Sequence, residues 1–397
     1  MATAERDGKL TIAVITGTRP EIIKLYPLLK VLDSEDIDYN FIHTGQHYDY
    51  ELSLRFIDDF RIRHPDFSIK LHRSEPLQQI SEMMVGLGDS FKRFSPTLVI
   101  VQGDTNSVLA SALAAVKLSI PVAHLESGLR CDDWRMAEEH NRRIVDHISE
   151  ILFATTADSA NNLRKEKVHG DVYLVGNTVL DAISLCLNQN DPSIDTTVFT
   201  QYNFKTNRLI QNNVDSEFGE NSFVLVTMHR SENVDNPNFL KQFFTALSLS
   251  GLDYIFPIHP RTFRRIKEYN LGRLIPNTIR IIKPIGYYHL LKLLMTCKFA
   301  ITDSGGIQEE ITSPIINKHA LVMRESTERD ESVRSGHAIL CRGPYSHDVI
   351  LEGINRIQTT LHQSKVCPYP TGNATRRVFK ILEEKFALAT KVRNKWL

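Results

Sequence analysis

Residues 97–104, TLVIVQGD, form a run of branched apolar residues that ends on a carboxylate, and this stretch decides the fold. A short apolar run of that kind fits a strand buried on both faces of a parallel sheet. Similar runs recur around it: LTIAVIT (10–16), YNFIHT (39–44), PVAHLE (121–126), ILFATT (151–156) and DVYLVG (171–176). Longer segments of helical period separate them, which predicts βαβ units. The polar stretch TNRLIQNNVDSEFGENS (206–222) interrupts the rhythm. It then restarts with FVLVTMH (223–229), YIFPIH (254–259), IRIIKP (279–284), FAITDS (299–304), HALVMR (319–324) and AILC (338–341). The economical reading is an α/β chain of two Rossmann-like, doubly wound domains with a cleft between them. The terminal stretch ATRRVFKILEEKFALATKV (374–392) reads as helix that is free to pack anywhere. In the first helix, PEIIKLYPLLKVLDS (20–34), Pro27 removes a hydrogen bond and crowds the preceding turn at a cost of about 3 kcal/mol, so a kink or break is expected there.

Length and composition agree. With 397 residues and 42% hydrophobic content the chain can bury a large core, and the length prior gives roughly two to three domains. Lys plus Arg and Asp plus Glu both total 47. No net charge remains to drive the counterion release on which non-specific nucleic-acid binding depends, so a nucleic-acid partner is not expected. The start MATAERDGKL lacks a basic segment followed by an apolar one, and no 18-residue apolar run occurs. A cytoplasmic chain with no membrane partner is expected. The five cysteines, at 131, 186, 297, 341 and 367, form no CxxC, which suits a reducing compartment. No thiolate cluster or HExxH supports a metal site.

Strands of such sheets end at one crevice, so polar residues finishing them are the candidate site. After the first strand comes Gly17-Thr18-Arg19-Pro20-Glu21, which is not GxGxxG, so a nicotinamide or flavin cofactor loses its usual cradle. Arg19, with Lys24 one turn on, suits a phosphate oxygen at a helix N-terminus; the alternative is a plain turn with solvated charges. Ser304-Gly305-Gly306 enters a second helix and offers a hydroxyl, close backbone approach and a favourable dipole for a diphosphate. Glu310 lies one turn further, within reach of ribose hydroxyls, whereas Glu309 reads as a surface charge offsetting the dipole. Asp104 and Glu126 end neighbouring strands, where partial burial would raise a carboxyl pKa toward proton exchange at neutral pH. The competing reading of Asp104 is a helix N-cap. Glu138 with Arg142, and Glu139 with Arg143, are i,i+4 pairs, which are ordinarily surface salt bridges worth about 0.3–0.5 kcal/mol. His229 ends the first strand of the second domain, where an imidazolium could hold or protonate a leaving phosphate. A backbone-satisfied structural histidine is the alternative, and His259 reads that way.

GTRPEIIKLYP, HTGQHYDYE, VQGDTNSVLA, AHLESGLR, AEEHNRRIVDH, VGNTVLDA, TMHRSENVDN, PIHPRT, DSGGIQEE and STERDESV occur in that order from about residue 10 to the C-terminal helix. Together they resemble the UDP-N-acetylglucosamine 2-epimerases of the non-hydrolysing type. The resemblance implies a glycosyltransferase-B-like architecture with an interdomain active-site cleft. Residues 1–178 plus a returning helix at 376–397 would make the N-terminal domain, and 179–375 the UDP-binding domain. It implies reversible C2 epimerisation of UDP-N-acetylglucosamine to UDP-N-acetylmannosamine, by elimination of UDP to 2-acetamidoglucal and re-addition, with no cofactor and as a homodimer. Carried over by motif, the catalytic set is Asp104, Glu126, Glu138 and His229. Binding of UDP falls to Arg19, Lys24, Arg142, Ser304, Gly305, Gly306, Glu310 and Arg329, and Gln46 marks a possible allosteric place.

The chain departs from the family pattern at three points. Ala137-Glu138-Glu139 stands where PEE is common, and Thr327-Glu328-Arg329-Asp330-Glu331 where TERPE is. Gln46-His47 is followed by Tyr48-Asp49 instead of the Arg and polar residue with which bacterial members hold an activating substrate molecule. Competing readings are a 2-epimerase of another UDP-2-acetamido sugar, such as a 6-deoxy sugar of surface polysaccharides, and a hydrolysing epimerase releasing N-acetylmannosamine and UDP. A retaining glycosyltransferase and a catalytically dead nucleotide-sugar sensor complete the set. The HRSEN motif favours the non-hydrolysing branch.

Overall fold

Strand β1 (Ile12–Thr16) is buried at every position and pairs in parallel with β2 (Tyr39–His43) on one side and β4 (Leu98–Gln102) on the other. In the computed structural model, described for residues 11–46, 54–73, 75–188, 198–204, 206, 208–213, 219–361, 365–370 and 372–386, the chain divides into two compact units. The first is Met1–Leu185 with Tyr369–Leu397, and the second is Cys186–Pro368.

Unit 1 is a seven-stranded parallel sheet in the order β3-β2-β1-β4-β5-β6-β7, with β3 (Phe67–Ser68), β5 (Val122–Ser127), β6 (Ile151–Ala154) and β7 (Asp171–Leu174) completing it. Between its strands run α1 (Arg19–Ser34), α2 (Leu54–Asp59), α3 (Pro76–Phe94), α4 (Asn106–Lys117), α5 (Ala137–Ile148) and α6 (Ala157–Glu166), with α7 (Thr178–Leu187) following. Crossovers leave β1 and β4 in opposite directions across the sheet, so the topological switch point, where ligands of such folds bind, lies between their carboxyl ends. Helix α1 does not break at Pro27: it runs unbroken from Arg19 to Ser34. Leu25, Leu28, Leu29 and Leu32 on either side of the proline are all buried, and that packing offsets the lost hydrogen bond. Gly17 ends β1 because nothing larger fits. A Cβ there would lie 2.0 Å from Ser107 Oγ and 2.1 Å from Thr44 Oγ1, so the turn into α1 sits directly against the start of α4.

Unit 2 is an eight-stranded sheet in the order β15-β14-β13-β10-β11-β12-β8-β9. The hairpin β8 (Val198–Asn203) and β9 (Arg208–Asn213) joins its edge antiparallel, so part of the polar stretch taken for an interruption is strand. The others are parallel: β10 (Phe223–Thr227), β11 (Asp253–Pro257), β12 (Ile279–Ile282), β13 (Ala300–Thr302), β14 (Ala320–Met323) and β15 (Ala338–Cys341). Their connections carry α8 (Ser231–Val234), α9 (Pro237–Leu249), α10 (Pro260–Glu268), α11 (Tyr287–Thr296), α12 (Gly305–Glu310), α13 (Asp330–Arg334) and α14 (His347–Thr360). The switch point of this sheet lies between β10 and β13. Helix α15 (Ala374–Phe386) belongs to unit 1, where Thr375 donates to Asp181 and Arg377 to the Val175 carbonyl. Among the described residues no helix is long and apolar enough to cross a membrane.

Candidate active site

Helix α4 begins at the switch point of unit 1, and its N-cap is Thr105, whose hydroxyl accepts from the Val108 amide. That overturns the reading of Asp104 as a cap and leaves its carboxylate for other work. Arg142 of α5 reaches it with Nη2 at 2.6 Å and Nε at 3.0 Å, both on Oδ2. Oδ1 has no hydrogen-bond partner among the described residues. Glu126, at the end of the next strand, receives Lys24 Nζ and, at 2.6 Å, Gln102 Nε2 on one oxygen. Its backbone has φ +69°, and the register of β5 against β6 shifts there. A left-handed conformation at a non-glycine residue costs energy and marks a place where side-chain direction matters. Lys24, expected beside a phosphate, is buried against this carboxylate.

The expected pairing within α5 is only half found. Arg143 does bind Glu139 at 2.9 Å, but Glu139 is fully buried rather than on the surface. Arg142 turns away from Glu138 toward Asp104 and Glu139. Burial pushes the Glu139 carboxyl up, and the two guanidiniums with the Cys131 hydrogen bonds outweigh it, holding it below the usual range. Glu138 is half-exposed in the first turn of α5, with no hydrogen bond or ion pair to a described residue. Arg19 stacks over the Phe56 ring at 4.6 Å. Gln46 accepts from the Ser107 amide and hydroxyl, at 2.9 and 2.7 Å, so its amide oxygen is committed to the start of α4. His47, Tyr48 and Asp49 lie outside the described residues.

Three groups of unit 1 were not picked out from sequence. Glu21 is buried and accepts from the Gly17 amide at 2.6 Å, Thr18 Oγ1 at 2.8 Å and Thr105 Oγ1 at 2.7 Å. Burial raises its carboxyl to about 7 against those hydrogen bonds. His124 and Asp146 are both fully buried and lie 2.8 Å apart. Burial pushes the Asp146 carboxyl up, but His124 and Arg130 prevail and hold it below the usual range.

At the switch point of unit 2, His229 follows β10 and Asp303 follows β13. Asp303 is fully buried and accepts from the His229 amide at 3.1 Å, the Arg230 amide at 2.9 Å and Asn233 Nδ2 at 3.2 Å. Its Oδ1 lies 3.3 Å from His229 Nδ1, while the His229 ring remains partly exposed. The rule that picked out Asp104 and Glu126, a carboxylate closing an apolar strand, also fits Asp303 in FAITDS, where the reading passed on to Ser304. His259 caps α10 by accepting from the Arg261 amide, a structural role. Ser304 stands before α12, which Gly305 and Gly306 open. Glu310 and Glu309 are both buried, so Glu309 is no surface charge; it pairs with Arg329 at 3.1 Å. Among the described residues no group of three or more His, Cys, Asp or Glu could hold a metal ion.

A family model described as UDP-N-acetylglucosamine 2-epimerase matches residues 30–383. The UDP-N-acetylglucosamine 2-epimerase of Methanocaldococcus jannaschii is 35% identical over 94% of this chain and 99% of its own. The chain belongs to this family. A UDP-2,3-diacetamido-2,3-dideoxy-D-glucuronate 2-epimerase of Pseudomonas aeruginosa is 31% identical over 94% of the chain and 99% of its own. Among solved structures, the M. jannaschii UDP-GlcNAc 2-epimerase in complex with UDP-GlcNAc and UDP aligns with a TM-score of 0.83 and 33% identity, over 94% of this chain and all of that one. The likeness covers both sheets. Membership of the 2-epimerase family makes the chain an isomerase.

Proposed function

We propose that the chain interconverts UDP-N-acetylglucosamine and UDP-N-acetylmannosamine by eliminating UDP to 2-acetamidoglucal and adding it back. One observation carries this reading: Asp104 and Glu126 stand at the ends of adjacent strands beside the switch point of unit 1, each oriented by its own cation. No carbonyl acidifies the hydrogen on C2 of the sugar, so direct removal would be prohibitive. Breaking the C1–O bond builds oxocarbenium character at C1, as in glycosidases, and acidifies that hydrogen. A carboxylate takes the proton, C1=C2 forms, and UDP leaves with the bonding pair. In return, the phosphate oxygen attacks C1 while a proton is delivered to the opposite face of C2.

Two faces call for more than one proton-transfer group, and Asp104, Glu126 and Glu138 supply them. His229, held by Asp303, assists the departing diphosphate. Arg19 and Arg142 serve the phosphates from unit 1, with Lys24 acting through Glu126. Ser304, Gly305, Gly306, Glu310 and Arg329 hold UDP from unit 2. Residues 1–178 with 376–397, and 179–375, are the proposed functional domains. The five cysteines are free thiols, which favours a cytoplasmic enzyme. The family resemblance favours a homodimer.

The test is proton NMR with UDP-N-acetylglucosamine in deuterated water. Deuterium at C2 with UDP-N-acetylmannosamine accumulating supports the reading, and free N-acetylmannosamine with UDP moves the chain to the hydrolysing branch. The P. aeruginosa relative motivates a second reading, that the substrate is another UDP-2-acetamido sugar. Exchange at C2 of a UDP-2,3-diacetamido sugar with none in UDP-N-acetylglucosamine would establish it.

A further inference from the structure

His124 lies on β5, two residues before Glu126, with its side chain wholly buried. Its Nδ1 is 2.8 Å from Asp146 Oδ1 and its Nε2 is 2.8 Å from the carbonyl oxygen of Gly103. A carbonyl and a carboxylate can only accept, so each ring nitrogen must bring a hydrogen. The one escape is a protonated Asp146. Its other oxygen already accepts from Arg130 Nη1 at 2.8 Å and the Gly128 amide at 3.1 Å, which stabilise the charged form.

Charges around the histidine close a circuit. Asp104 binds Arg142, Arg142 binds Glu139, Glu139 binds Arg143, and Arg143 binds Glu166 at 2.7 Å. Glu166 takes a two-pronged bond from Arg130, Arg130 binds Asp146, and Asp146 binds His124. His124 then holds the Gly103 carbonyl, one peptide from Asp104. Four acids, Asp104, Glu139, Glu166 and Asp146, face three arginines. A protonated His124 supplies the fourth cation and balances the circuit. Glu126, on the same strand, has its own cation in Lys24; Asp132 and His147 touch the circuit at Arg143 and Glu166, from more exposed positions.

We propose that His124 carries a hydrogen on both ring nitrogens and is the positioning residue for Asp104, fixing the Gly103 carbonyl and through it the direction of the Asp104 carboxylate. Gly103 is where the chain needs that anchor. Its φ of +86° is a left-handed turn that glycine adopts freely, so the backbone alone does not define where Asp104 points. The positioning role rests on the epimerase reading; the charge state does not.

The experiment labels the full chain with 15N-histidine and counts ring N–H couplings, with Asp146→Asn and His124→Gln to assign the signal. Two protected N–H groups on the His124 ring at pH 8.5, where an exposed imidazole is neutral, are the expected result; a single N–H overturns the proposal whatever the chain catalyses. The kinetic arm follows His124→Gln, which keeps a donor nitrogen at one end only and carries no charge. The expected loss is about 10- to 100-fold in kcat with KM within about twofold, the usual scale for a group that orients a reacting one. An unchanged kcat overturns the positioning role. If that variant does not fold, Asp146→Asn carries the same measurement. If no UDP-sugar reacts with the unaltered protein, the epimerase reading fails while the proton count still decides the charge of His124.

Discussion

Arg142 closes on Asp104 with Nε and Nη2 on a single carboxylate oxygen, at 3.0 and 2.6 Å, while its Nη1 holds the buried Glu139. One planar fork thus fixes two acids, which a lysine cannot do with a single ammonium. Arg142→Lys is expected to fold and to lose about 100-fold in kcat, the scale of a misplacement of about 1 Å at the reacting group. Arg142→Ala also leaves Glu139 buried with less compensation and should cost roughly 3–5 kcal/mol of stability. Turnover and urea unfolding measured side by side separate the two effects. Wild-type kcat in Arg142→Lys would refute the orienting role.

Glu126 differs from Asp104 in how it is held: Lys24 and Gln102 converge on one oxygen, and the backbone is left-handed. Glu126→Gln keeps the shape and removes the carboxylate proposed to accept the proton. Deuterium incorporation at C2 should fall by about 100- to 10,000-fold, the usual contribution of a general base. UDP affinity, followed by calorimetry, should stay within about twofold. Full exchange in the variant would remove Glu126 from the proton-transfer set.

Strands were legible in the sequence because parallel strands buried on both faces read as continuous apolar runs, so LVIVQ and FVLVT announce themselves. The β8–β9 hairpin was not, since QYN and RLIQNN mix polar and apolar residues at an exposed edge. The strand-end rule picked out Asp104 and Glu126, and the structure places both where β4 and β5 finish. Local rules failed where the partner is distant in sequence. The i,i+4 pattern offered Glu138 to Arg142, but the guanidinium reaches Asp104, 38 residues away. His124 inside PVAHLE looks like one polar residue in a strand, and only the tertiary fold brings Asp146 and the Gly103 carbonyl to its two nitrogens.

Asp303 is the acceptor that fixes the turn after β10, taking the His229 and Arg230 amides and Asn233 Nδ2. Asp303→Asn exchanges an acceptor for a donor and strands one of those groups, at about 1–3 kcal/mol of stability. The His229 ring loses its anionic neighbour as well. A drop in kcat is therefore expected with the thermal midpoint, and turnover unchanged in a folded variant would show that His229 needs no such support. On the other unit, Arg19→Ala removes the cation proposed to serve a phosphate and should weaken UDP about tenfold without unfolding the chain, as calorimetry would report.

Glu21 predicts a pH dependence of stability that no exposed carboxylate would give. Burial lifts its carboxyl from 4.5 to about 7 in the folded chain. The folded state therefore binds this proton more tightly than the unfolded state. Its contribution is fully present below pH 4.5, declines as pH rises through that value, and is lost once pH passes about 7. The shift amounts to on the order of 3 kcal/mol. Glu21→Gln imitates the protonated side chain at every pH, so this part of the dependence should vanish in the variant. Urea midpoints taken between pH 5 and 8 should fall more steeply for the wild type, with the variant relatively more stable toward pH 8. Parallel curves would mean that Glu21 titrates as an ordinary carboxylate and that its bonds to Gly17, Thr18 and Thr105 outweigh its burial.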